Sequence, residues 1–169
     1  MNVNVEENHE IDINGYFVIV ITFVVAFWLS GLVLPHTLEP FRPVWVLMVL
    51  IYWTIAIPYR IGVYIAAVVG LLLDLYLGAL MGQHVISLAL VGYLAYLIHL
   101  RIRLFPIWQQ CLVVLVMTAI YQVVNRVIEG MLSDVSVGFS YYWPTVSTAF
   151  FWPWVYVALR YCRKKFHIY

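Results

Sequence analysis

The chain has 169 residues, 65% of them hydrophobic and only 10% charged, with a net charge of +1. A soluble domain of that length could not hide so much apolar surface, whereas a bilayer accepts about 20 apolar residues per helix. The composition therefore excludes a soluble domain of any size, and the balanced charge gives no reason to expect a nucleic-acid partner.

The first 15 residues form an acidic tail carrying Glu6, Glu7, Glu10 and Asp12. A run without any charge follows from Tyr16 to Leu34. It is longer than a signal-peptide core and its upstream flank is acidic, so it reads as a retained helix even though Ser30 and Gly31 could mimic a cleavage site. Six transmembrane helices are predicted, over roughly 16–34, 41–58, 61–81, 83–100, 107–129 and 142–160. The separators are Pro35 to Pro43, Pro58-Tyr59-Arg60, Gly82, Arg101 to Pro106, and Glu129 to Tyr141. The second span is short for a crossing at 1.5 Å per residue. Residues 161–169 are a basic tail. No repeat or second domain is apparent, and Cys111 and Cys162 have neither a disulfide pattern nor metal-ligand spacing.

Arg60, Arg101, Arg103, Arg160, Arg163, Lys164 and Lys165 fall on one side of the predicted topology, and Arg42 alone falls in a loop on the other. The positive-inside rule makes the basic side cytoplasmic, with both termini inside. Trp28, Trp45, Trp108, Trp143, Trp152, Tyr59, Tyr141 and Tyr142 lie near span ends and read as an interfacial belt.

The third span carries small or acidic residues every four positions: Gly62, Ala66, Gly70, Asp74, Gly78 and Gly82. Residues four apart share a helix face, and small residues let membrane helices approach closely. Gly70, Asp74, Gly78 and Gly82 are thus a candidate face, either for packing within the bundle or for docking a partner's helix. An unpaired aspartate at that depth costs roughly 2.5–3.5 kcal/mol. Arg126, in the fifth span, is its expected partner in a pair or shared polar network. His36, His84 and His99 are scattered and read as interfacial or satisfied. Gln109, Gln110, Gln122 and Asn125 read as interhelical hydrogen-bonding groups. Arg160, Arg163, Lys164 and Lys165 are expected to touch anionic lipid or a cytoplasmic partner. No catalytic motif, metal site or cofactor signature occurs, and none is expected.

The words Phe41-Arg-Pro-Val-Trp-Val-Leu47, Tyr52-Trp53, Ile57-Pro-Tyr-Arg60, Gly70-Leu-Leu-Leu-Asp-Leu-Tyr-Leu-Gly78, Trp108-Gln-Gln110 and Trp152-Pro-Trp154 occur in order. In this the chain resembles the rod shape-determining MreD family of gammaproteobacteria, from about residue 16 to the C-terminus; the acidic segment before it departs from the family. The resemblance implies a non-enzymatic inner-membrane scaffold of the cell-wall elongation machinery. It implies an MreC-like bitopic partner, and indirect links to MreB, RodZ, RodA and the elongation-specific penicillin-binding transpeptidase. It also implies a fold like the six-helix substrate-binding component of vitamin transporters, which leaves a small-molecule transport component as the alternative. On this reading Gly70, Asp74, Gly78 and Gly82 receive the partner's helix, and the loop from Glu129 to Tyr141 meets its outer part.

Overall fold

The computed structural model describes residues 13–33, 35, 39–132 and 142–166. Among them are six α-helices: α1 (Ile13–Gly31), α2 (Trp45–Ala56), α3 (Val63–Leu77), α4 (Gln83–Ile102), α5 (Ile107–Leu132) and α6 (Trp143–Lys165). A 3-10 turn at Glu39–Phe41 precedes α2. No strand occurs among the described residues. Two helices are long and apolar enough to cross a membrane by length and composition, Gln83–Ile102 and Ile107–Met131. The acidic tail and most of the loop between α5 and α6 lie outside the described residues. The basic segment is less a tail than expected, because α6 continues through Lys165.

The protein is apolar on its outside as well as in its core. Its outer faces carry Phe17, Val24, Tyr64, Val68, Leu97, Leu112, Val116, Phe150 and Trp154, all exposed. Asp74, Gln83, His84, Ser87, Gln122, Asn125, Thr145 and Thr148 are buried. An apolar exterior of this extent suits hydrocarbon rather than water, and the polar groups then turn inward to find partners. Trp28, Trp108 and Trp143 are exposed, in keeping with an interfacial belt, but Trp152 is wholly buried and stacks near Tyr156. It lies well inside α6, where the helix faces α2, and so belongs to the core.

The centre is α2. Every residue from Val46 to Ile55 is buried, which is what a helix apolar on all sides requires. It has only 12 residues, about 18 Å at 1.5 Å per residue, against a hydrocarbon core of about 30 Å. Its two ends are treated differently. At the C-terminal end Arg103 donates from Nε to the Ile55 carbonyl and from Nη2 to the Ala56 carbonyl, both at 2.8 Å. These are carbonyls that a helix end leaves without an internal donor. At the N-terminal end the Val44 amide donates to Thr148 Oγ1 at 3.0 Å, and the chain before it is irregular. Irregular backbone at membrane depth is tolerated where it is covered by protein or lines a cavity. A cavity is what forms there.

Helices α2, α4 and α6 run the same way. Arg103, after α4, meets the end of α2, and Tyr52 of α2 stacks edge-on against Tyr156 of α6. Arg60 bonds Tyr16 near the start of α1. The residues Arg60, Arg101, Arg103 and the α6 terminus are thereby gathered at one end of the bundle, with Arg42 and Arg126 at the other.

Candidate functional site

The α3–α4 hairpin shapes the cavity end, and Asp74 organises that hairpin twice over. Its backbone carbonyl accepts the amides of Gly78 and Ala79, which closes α3. Its carboxylate reaches across the turn to α4. Oδ2 accepts the Gly82 amide at 2.8 Å, and Oδ1 accepts the His84 amide at 3.0 Å. Oδ1 also lies 2.7 Å from His84 Nδ1, within hydrogen-bond distance. Asp74 thus supplies α4 with the N-terminal cap that Gly82 has no side chain to give. Negative charge at the positive end of a helix is also favourable.

The four-residue spacing of the third span therefore serves several purposes. Gly70 faces α4 so closely that a Cβ would sit 2.6 Å from the His84 carbonyl oxygen and from Val85 Cα. Ala66 meets Gly92 in the same groove. For these positions, and for Asp74 at 1% exposure, the packing role is filled inside the chain. Gly78 and Gly82 are turn residues with φ of +62° and +100°, the left-handed region that glycine enters most cheaply. The four do not form one open stripe.

The expected Asp74–Arg126 pair is arranged otherwise. Asp74 takes His84, while Arg126 Nη1 donates to Glu129 Oε2 at 3.1 Å, one turn along α5. Gln83 Nε2 donates to Glu129 Oε1 at 2.6 Å, so Arg126 is linked through Glu129 to the residue beside His84. The amides of α5 bridge helices as expected. Ser87 Oγ lies 2.7 Å from Asn125 Oδ1, Thr145 donates to Gln122 Oε1, and Gln110 Nε2 donates to the Ile102 and Phe105 carbonyls. His84 read as an ordinary satisfied histidine. It is satisfied, but by the most important carboxylate in the bundle.

Below these groups opens a cavity of about 1020 Å³. Its wall combines Arg42 and Val44 before and at the start of α2, Leu77 to Leu80 of the hairpin, Gln83 and His84 of α4, Gln122, Asn125, Arg126 and Glu129 of α5, and Pro144 of α6. Arg42, which counted only toward topology in the sequence, is the unforeseen member. No group of three or more His, Cys, Asp or Glu side chains is placed to hold a metal among the described residues. Cys111 and Cys162 are both free thiols.

A family model described as rod shape-determining protein MreD matches residues 11–162. The chain belongs to the MreD family. It is 30% identical over 154 residues to the rod shape-determining protein MreD of Haemophilus influenzae, covering 89% of this chain and 93% of that relative. No solved structure matches. MreD proteins are membrane proteins of cell-shape determination and are not a known enzyme family, which places this chain in the shaping of rod cells.

Proposed function

We propose that the chain is a multi-pass, non-enzymatic scaffold of the cell-wall elongation machinery in the bacterial inner membrane. It binds an MreC-like bitopic protein and thereby helps to organise or activate peptidoglycan synthesis, with MreB, RodZ, RodA and the elongation-specific transpeptidase as indirect partners. The observation that carries this reading is the family match along nearly the whole chain. The apolar exterior supports it, since among the described residues little but helix faces is offered to partners. The basic end is then cytoplasmic by the positive-inside rule, and Arg160, Arg163, Lys164 and Lys165 anchor to anionic lipid at about 1 kcal/mol each.

Because Gly70 and Asp74 are occupied by α4, the partner's helix is proposed to meet the third helix on its open side. There Val68, Leu71, Leu75 and Tyr76 are exposed, and Gly78 and Gly82 mark the edge of that surface. Depletion of the protein in its rod-shaped host is expected to give spheres, and unchanged rods would overturn the reading. Affinity purification from gently solubilised membranes is expected to recover an MreC-like protein.

One observation favours a second reading, a substrate-binding component of a small-molecule transporter: the large cavity with polar groups on its wall. That reading requires ATPase subunits to co-purify. Their recovery in place of an MreC-like protein would decide for it.

A further inference from the structure

Donors and acceptors around the cavity are unequally committed. Both oxygens of Asp74 are taken, by Gly82 and by the amide and ring of His84. Both oxygens of Glu129 are taken, by Gln83 and Arg126. The carbonyl oxygens of Gln122 and Asn125 accept from Thr145 and Ser87, and both residues line the cavity. Arg42 is in the opposite state. Its Nη2 is sealed from solvent and has no hydrogen-bond partner among the described residues. Four buried side-chain atoms share that condition there, and Arg42 Nη2 is the one that belongs to a cation. Arg42 also stands on the wall between the large cavity and a neighbouring one of about 420 Å³, which lies between the ends of α1 and α3. A buried guanidinium N–H without an acceptor is costly, and an anionic oxygen is the acceptor it suits best.

We propose that this cavity is a binding site for an oxygen-rich anionic ligand, a phosphate or carboxylate group on a polar body. Arg42 holds the charged group, and the NH2 groups of Gln122 and Asn125 donate to neighbouring oxygens. Two carboxylates, Glu39 and Glu129, stand on the same wall as Arg42 and Arg126, so the charges there balance and it is the unpartnered Arg42 Nη2 that asks for an anionic oxygen. At about 1020 Å³ the space lies at the upper end of small-molecule pockets and exceeds a bare anion. The same chemistry is offered by a lipid headgroup entering sideways through the smaller cavity, or by a free solute entering from the open end. The inference depends on neither reading of the function above.

The test uses the full chain in neutral detergent and follows unfolding by tryptophan fluorescence. The probes are sodium phosphate and sodium acetate, each against chloride at matched ionic strength, and phosphatidylglycerol against phosphatidylcholine in mixed micelles. At least one anionic probe is expected to raise the wild-type Tm in a saturable way. Arg42→Gln is expected to raise the half-saturating concentration about tenfold, Arg42→Lys by less, because a guanidinium grips such groups in two places and an ammonium does not. Tyr59→Phe, on an exposed residue at the far end, is expected to change nothing. A response to phosphatidylglycerol alone assigns a headgroup, and a response to the soluble anions assigns the free solute. The proposal is overturned if no anion stabilises the wild type, or if Arg42→Gln responds as the wild type does. Should Arg42→Gln fail to accumulate, an Arg42→Lys response identical to wild type overturns it equally.

Discussion

The two ends of the bundle solve the same problem in opposite ways. At the basic end the central helix stops where Arg103 and the polypeptide around it can meet its last carbonyls, and Gln110 does the same for the turn between α4 and α5. Arg103 and Gln110 are both spent there on backbone. At the other end the central helix starts late, the hairpin is tied by one short carboxylate, and the longer polar side chains of α5 are left around a space. Backbone satisfaction by reaching side chains closes an end. Satisfaction by a tight local turn leaves those side chains free to line a site.

The largest expected effect comes from untying the hairpin. Asp74→Leu removes the cap of α4 and leaves the His84 ring and two amides without their acceptor. Each buried donor left without its acceptor costs about 1–3 kcal/mol. Asp74→Asn is expected to fall between this variant and the wild type, because its carbonyl oxygen still accepts one amide while its NH2 faces a donor. Thermal unfolding in detergent would rank the three. Equal stability of Asp74→Leu and wild type would mean that the hairpin does not depend on this carboxylate, and the contrast between the ends would lose its basis.

A smaller effect is expected from forcing α3 and α4 apart. In Gly70→Ala the new methyl meets backbone atoms at 2.6 Å, which cannot rotate away, and overpacking of this kind costs about 1–3 kcal/mol. Gly62→Ala is the matched control, since nothing lies within 4 Å of its added methyl. A Gly70→Ala variant no less stable than Gly62→Ala would show that the backbone of α4 yields to the added methyl at little cost.

Much of this architecture was legible beforehand, for identifiable reasons. Apolar runs separated by Pro, Gly and Arg mark the helices because breakers and charges are costly inside a bilayer. Three of the four amides of α5, Gln110, Gln122 and Asn125, make the hydrogen bonds to neighbouring segments that buried amides are expected to seek. The partner of Asp74 was not legible. It is His84, ten residues on, a spacing that belongs to no helix and makes sense only once the turn at Gly78 and Gly82 folds back. Arg126 was the natural guess from depth alone; it bonds Glu129, one turn away, and is connected to the hairpin through Glu129 and Gln83. Arg42 was missed because the second helix was expected to begin at residue 41. With α2 starting at Trp45, the residues before it leave the helix and Arg42 faces the cavity.

The smallest effect tests the closed end. Arg103→Ala removes two donors from the carbonyl end of α2, and hydrogen bonds from a charged donor contribute about 1.5–3 kcal/mol each when buried, less where solvent reaches them as it does here. A Tm loss below that of Gly70→Ala is expected, with partial recovery in Arg103→Lys, whose single ammonium cannot serve both carbonyls in the same geometry. The anion response at the far cavity should be unchanged, because no side chain of the cavity wall touches Arg103. An unchanged Tm would mean that water or lipid headgroups replace the guanidinium at no cost, so that the closed end owes its closure to the short turns alone. A lost anion response would mean that the central helix transmits strain along its length, and that its two ends act as one device.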